Sequence, residues 1–275
     1  MRKKKESDRD VSKKPVSANQ PRRFSALPSR ESRAFSPAMR RSLLLLLAVF
    51  LTSLAPVRAA DPVAPAASGE FIILAGGVSL HVWEKWKAQP HDNWWMNFVR
   101  ASRIRIEEIQ ASSPGAQITW LVYRPAYVNR AKQENNDLIS HITSVRDAFK
   151  VKLIWFDNAS EVISYLNNGQ DRSRVKIANF EFFGHSNKAC WMFDYSNTID
   201  SASKSWLHQN DFSKLKRGIF TRDALVKSWG CHTGESMSGK WRAATGVPMI
   251  GAVGKTQYMT HELPTLSSVT GRWTR

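Results

Sequence analysis

The chain has 275 residues, 42% of them hydrophobic, two cysteines and a formal net charge of +17. That length holds one or two domains, and two cysteines exclude a disulfide-dense secreted scaffold. The charge is concentrated at the front: residues 1–38 carry eleven Lys/Arg against four Asp/Glu, and Arg40, Arg41 and Arg58 add three more, so the remainder carries +7. With a mild positive balance, no dense basic stripe and no nucleic-acid motif, specific nucleic-acid binding is not expected.

Residues 1–38 are basic and Ser/Pro-rich, with too few large apolar side chains to offset the entropy of ordering, so a disordered extension is expected there. Met39-Arg40-Arg41-Ser42, the apolar run from Leu43 to Leu54, and Ala55-Pro56-Val57-Arg58-Ala59 then follow the order of a signal peptide with a small-residue cleavage site. The run falls short of the roughly 20 apolar residues that span a bilayer, so residues 39–59 read as a cleaved signal and not as a stable membrane span. Met39 is an alternative start. The expected location is secreted or periplasmic. Residues 60–69 are a Pro/Ala/Ser linker, and residues 70–275 form the folded domain.

Within that domain, Phe71–Ala75 reads as a buried strand stopped by Gly76-Gly77. Asn93–Gln110 has partly helical spacing and ends at Ser112-Ser113-Pro114-Gly115. Ile118–Tyr123 is a second strand, closed by Arg124-Pro125, and Asn136–Phe149 is a helix with Leu138, Ile139, Ile142, Val145 and Phe149 on one face. Lys152–Phe156 is a third strand, and Ser160 is placed to cap the short helix that ends at Asn168-Gly169. A fourth strand, Val175–Phe183, stops at Gly184-His185. Ala189–Phe193 reads as a short extra strand and Ile199–Leu215 as a helix. Ala224–Trp229 is the fifth main strand, stopping at Gly230-Cys231; a helix over Glu235–Ala244 and a sixth strand over Pro248–Val253 follow. This alternation predicts an α/β fold with a mainly parallel sheet of about six strands sandwiched by helices. The strands ending at His185 and Cys231 are expected to be parallel neighbours, joined by a crossover that contains the 199–215 helix.

Parallel sheets bind ligands at the carboxyl ends of their strands, where such a pairing brings His185 and Cys231 together. A thiol beside an imidazole is the minimum equipment for nucleophilic catalysis. A helix starting near Gly234 would aim backbone N–H groups at Cys231 and stabilise its thiolate. The plain alternative is that both side chains are core residues. Gly184-His185-Ser186-Asn187-Lys188 also approaches a G-x-S-x-G elbow with Ser186 as nucleophile, although Lys188 replaces the last glycine. Gly234-Glu235-Ser236-Met237-Ser238-Gly239-Lys240 approaches a P-loop, but Trp241 replaces the magnesium-holding Ser/Thr, so no nucleotide or other cofactor is implied. Export permits a disulfide between Cys190 and Cys231, the only two cysteines. A zinc set of His185, Cys190, Cys231 and His232 lacks a C-x-x-C pair, and no metal is expected.

The segments FEFFGHS, LVKSWGCHTGES, KWRAATG and VPMIGAVG together resemble the caspase-like cysteine peptidase group (clan CD), and within it the caspase/CHAT-like domain of bacterial surface proteins. The resemblance covers roughly residues 71–255, and its specific part is 180–254. It implies a caspase-like three-layer fold, Cys231 as nucleophile, His185 as acid–base, and backbone N–H groups around Gly184, Ser186 and Gly230 as an oxyanion hole for a peptide or protein substrate. Ser186 stands where the family commonly has glycine, and the Q-A-C-R-G pentapeptide is absent. Asp194 and Glu235 are candidates for a pocket favouring a basic substrate side chain. A catalytically silent caspase-like module that binds a partner at the cell surface is the alternative function.

Overall fold

The computed structural model describes residues 69–84, 92, 94–194 and 204–274. The extension and signal peptide expected at residues 1–59 lie outside the described residues, as does most of the linker.

Five strands form one parallel sheet: β1 (Glu70–Ala75), β2 (Gln117–Tyr123), β3 (Lys152–Phe156), β4 (Ile177–Phe183) and β8 (Phe220–Ser228), in the order β3-β2-β1-β4-β8. Their side chains divide by the period of two that a pleated strand imposes. Ile72, Leu74, Leu121, Tyr123, Phe180 and Phe182 enter one core. Ile73, Ala75, Trp120, Val122 and Phe183 enter the other. The second core is covered by α2 (Asn97–Ser112), α3 (Arg124–Glu134) and α4 (Leu138–Phe149). The first is covered by α5 (Ala159–Asn168), α6 (Met237–Thr245) and part of the β4–β8 connection. A single turn, α1 (His81–Glu84), follows β1. The result is the three-layer α/β architecture the alternation implies.

Local chemistry explains the helix starts. The Asp137 carboxylate accepts from Ser140 N at 3.0 Å and caps α4. Asn158, not Ser160, caps α5 by accepting from Glu161 N at 3.2 Å, while Ser160 Oγ donates to the Asn158 side chain. Helix α3 was not expected from the sequence. Pro125, read as a strand stopper, sits in its first turn, where proline needs no N–H and its fixed φ suits a helix.

Two expectations fail. The sheet has five strands because the 248–253 segment gives only one parallel bridge, Ile250 to Lys227, with Ile250 N donating to Val226 O at 2.9 Å. Beyond it the chain turns away as β9 (Gly251–Val253) to pair antiparallel with β12 (Arg272–Thr274). Among the described residues, the β4–β8 crossover also lacks its α-helix. It contains a three-stranded antiparallel sheet, β5 (His185–Ser186), β6 (Cys190–Asp194) and β7 (Ser205–His208), then a 3₁₀ turn over Gln209–Lys214. Trp191, Phe193, Leu207 and Phe212 alternate into the first core, so a hairpin performs the burial a helix would have performed. Residues 195–203, part of the expected helix, lie outside the described residues.

Charged groups are buried in both layers. At the amino end of the sheet, fully buried Glu70 receives Arg172 Nη1 at 2.6 Å, Tyr165 OH at 2.5 Å and Thr119 Oγ1 at 2.5 Å. On the other face, Glu181 receives Arg105 Nε at 2.6 Å, Trp229 Nε1 at 2.7 Å and Asn179 Nδ2 at 2.9 Å. Its register neighbour Lys227 places Nζ 3.3 Å from the Trp229 ring centre and 4.2 Å from that of Trp273.

Removing one partner of a buried pair strands the other charge. Arg172→Ala is expected to lower stability by about 3–5 kcal/mol. The double variant Arg172→Met with Glu70→Gln should lose less than the sum of its parts in urea titration.

Burial pushes the Lys227 ammonium down to about 8, against a smaller upward pull from Glu181. A cation whose pKa is lower when folded than when unfolded is destabilising while protonated, so stability should rise as pH climbs from about 8 to the ordinary lysine range. Urea midpoints across that window should rise for the wild type, and the rise should be missing in Lys227→Met.

Candidate active site

Strand β4 pairs with β8 in parallel, so the residues after Phe183 and Ser228 emerge at the same edge. Trp229 N donates to Phe182 O at 2.9 Å and extends the ladder by one more link. The order β3-β2-β1-β4-β8 reverses direction at β1, which places the opening beside the carboxyl ends of β1 and β4. The two strand ends then close on each other. A Cβ on Gly230 would lie 2.1 Å from Ser186 Oγ, and Ser186 Oγ donates to Cys231 O at 2.7 Å. His185 and Cys231, expected from sequence, are thus brought to one edge on adjoining backbones.

The thiol is held by one residue of the short hairpin β10 (Thr256–Gln257) and β11 (Thr265–Leu266). Cys231 Sγ accepts from Thr256 N at 3.3 Å and donates to Thr256 O at 3.7 Å. The Thr256 hydroxyl itself donates to Trp229 O at 2.9 Å. No hydrogen bond joins Cys231 to His185. The imidazole is instead bonded through Nε2 to Asp92 Oδ2 at 2.5 Å, and the ring of Phe98 meets it edge-on at 5.0 Å.

Asp92 is absent from the sequence reading. It is 1% exposed and also accepts from Ser79 N at 2.8 Å and Asn97 Nδ2 at 3.3 Å. It lies in no strand or helix, far upstream of both candidates, and no spacing links His91-Asp92-Asn93 to Gly184-His185. Tyr258 was missed for the same reason. Its hydroxyl accepts from Gly184 N at 2.8 Å, and burial drives the phenol well above its ordinary pKa.

The oxyanion expectation is partly corrected. Gly184 N–H is consumed by Tyr258, whereas Gly230 N–H and Cys231 N–H donate to no group among the described residues. In the β5–β6 ladder Asn187 N donates to Cys190 O at 3.1 Å, so Ser186 falls on the non-hydrogen-bonded pair and its N–H points away from β6. Helix α6 begins at Met237, not near Gly234, so its first turn does not serve Cys231. The intervening amides are already used: His232 N donates to Gly254 O and Gly234 N to Ala252 O, each at 2.8 Å.

Ser186 is 7% exposed and its hydroxyl is engaged by the Cys231 carbonyl. Cys190 and Cys231 are both free thiols, so the contemplated disulfide does not form. Cys190 stands opposite His208 in the β6–β7 ladder while Cys231 lies under Thr256, and burial, with Asp211, pushes the Cys190 thiol up. Asp194 is buried, with Tyr123 OH donating to it at 3.2 Å, and lines no open pocket described here. Glu235 does line one, an open cavity of about 410 Å³ shared with Asn187, Lys188, Ala189 and His232. There it pairs with His232 Nδ1 at 2.5 Å, and that bond holds its carboxyl below the usual range. Two larger surface cavities, about 580 and 710 Å³, contain neither Cys231 nor His185. Among the described residues no His/Cys/Asp/Glu cluster is suited to a metal, and no helix is long and apolar enough to cross a membrane.

Denatured, unreduced protein is expected to show two reactive thiols per chain by Ellman titration. In the folded protein at neutral pH, Cys190→Ala should leave the rapid phase of iodoacetamide labelling intact and Cys231→Ala should remove it. A bridged pair would give no thiols in the first measurement.

No protein-family model, curated protein or solved structure matches this chain.

Proposed function

We propose that this chain is an exported cysteine endopeptidase that uses Cys231 as nucleophile and His185 as general acid–base. The observation that carries this reading is the parallel pairing of β4 with β8, which delivers both side chains to one sheet edge beside the strand-order reversal. His185 would take the thiol proton, leaving the S–H bonding pair on sulfur. The thiolate adds to the scissile carbonyl as its π pair moves to oxygen, and the Cys231, Gly230 and Ser186 N–H groups are the candidates to receive that charge. Collapse breaks the C–N bond, the departing amine takes the proton from the imidazolium, and water hydrolyses the thioester in the reverse sense. The 410 Å³ cavity lined by His232, next in sequence to Cys231, and by Glu235 offers space for a substrate side chain. Lys188 and His232 offset the Glu235 charge there, which weakens the case for a basic side chain.

One observation favours the second reading, a silent module that binds a partner. The thiol is bonded on both sides to Thr256 and makes no bond to His185.

For exported protein whose amino terminus lies near Ala60, Cys231→Ala is expected to abolish cleavage of a casein or peptide-library substrate. His185→Ala should cost nearly as much, because residues acting as a unit do not add. Ser186→Ala should retain cleavage, with some loss of stability from the freed Cys231 carbonyl. Ester hydrolysis that survives Cys231→Ala and disappears with Ser186→Ala would sink the assignment in favour of a serine hydrolase. Wild-type protein with no activity on either substrate would support the binding module.

A further inference from the structure

We infer that Asp92 is the positioning residue of this site: by holding His185 through Nε2, it assigns Nδ1 as the nitrogen that exchanges protons with Cys231. The inference rests on the peptidase reading only for what the proton transfer accomplishes. The geometry is independent of it. The Nε2–Oδ2 contact is 2.5 Å, shorter than the roughly 2.7–2.9 Å usual for a charge-assisted N–H···O bond. The carboxylate is itself fixed by the Ser79 backbone amide and the Asn97 side chain, and its own N–H donates to Glu84 Oε2 at 3.0 Å. Glu84, also 1% exposed, takes the Ser79 hydroxyl in turn. A carboxylate this buried, with a second one behind it, is costly to ionise unless a cation faces it. His185 is the basic side chain that faces it.

The ring has little freedom. Asp92 grips one nitrogen, and Phe98 packs edge-on against the imidazole and, at 4.8 Å, against Tyr258. A histidine whose Nε2–H is committed to a carboxylate presents Nδ1 for chemistry, because the hydrogen bond at one nitrogen sets the tautomer of the other. In the transfer step the Cys231 S–H bond breaks, its electron pair stays on sulfur and the proton forms an N–H bond at Nδ1. Asp92 remains ionised throughout and accepts no proton. Among the described residues, Asp92 bonds the ring with Glu84 behind it, and the neighbouring phenols of Tyr258 and Tyr127 are raised far above neutrality by burial.

The test is a titration of His185 by nitrogen-15 NMR in the full chain, assigned by comparison with His185→Ala. In wild type the neutral ring should be the Nε2–H tautomer. Asp92→Asn should shift the neutral ring away from the Nε2–H tautomer, and should change the rate of Cys231 alkylation with it. Asp92→Glu, which keeps the charge, should restore most of that tautomer. In a His185→Ala background, Asp92→Asn should leave the alkylation profile unchanged. Where the wild type cleaves peptide, Asp92→Asn should lower kcat by about a hundredfold with KM within twofold. A bare Nε2 in the wild-type tautomer overturns the assignment without any variant, as does an unshifted tautomer in folded Asp92→Asn. Shifts of the expected size in a protein that cleaves nothing leave the assignment standing and remove the peptidase reading.

Discussion

Gly230 has no side chain, and the candidate site depends on that vacancy. A methyl group there would sit 2.1 Å from Ser186 Oγ and 3.1 Å from Gly184 O, so any other residue would force the ends of β4 and β8 apart. With glycine, the Ser186 hydroxyl reaches the Cys231 carbonyl and ties the two strand ends below the reactive side chains. The serine after the histidine acts as a tie between backbones. The hydroxyl points at the carbonyl, which leaves the Ser186 amide directed away from β6.

Around this junction the protein sorts its buried charges by position. Glu70 and Arg172 close the amino end of the sheet, where the strands begin and no ligand space is needed. Glu181 lies in the middle of β4, satisfied by Arg105 from α2 and by the Trp229 indole. Asp92 lies at the carboxyl end and has the histidine as its partner. Each carboxylate is over-determined by several donors, as a low-dielectric interior requires. The first two are paired with arginines that stay charged at every pH. The third is paired with a histidine, the side-chain type whose ordinary titration lies near neutrality.

The connection between β4 and β8 shows how tertiary packing overrides local reading. Residues 199–215 carry enough mixed polarity to suggest a helix, yet Leu207 and Phe212 are committed to the same core as Trp191 and Phe193. Once β6 has folded back from His185, its free edge accepts the Ser205–His208 strand, and ladder hydrogen bonds replace helical ones. The final segment behaves likewise. Ile250 joins β8 by a single bridge, and β9 then leaves to pair with β12, because Trp273 packs against Trp229 at 5.5 Å.

The sequence by itself determined the five parallel strands, since short apolar runs of β-branched and aromatic residues read as buried strands, three of them stopped by glycine. It also determined that His185 and Cys231 stand at the carboxyl ends of strands, because a glycine breaks each strand immediately before the polar residue. Their adjacency followed from alternation, since parallel neighbours need long connections and the forty-five residues between are one. Only the tertiary structure decided the rest. Asp92 reaches His185 from 93 positions away, and Thr256 and Tyr258 fold back over Cys231 and Gly184 from a tail without periodicity. Such contacts depend on where loops return after the sheet is built. Loop paths are set by packing, backbone hydrogen bonds and burial at distant points, and no local pattern of residues encodes them.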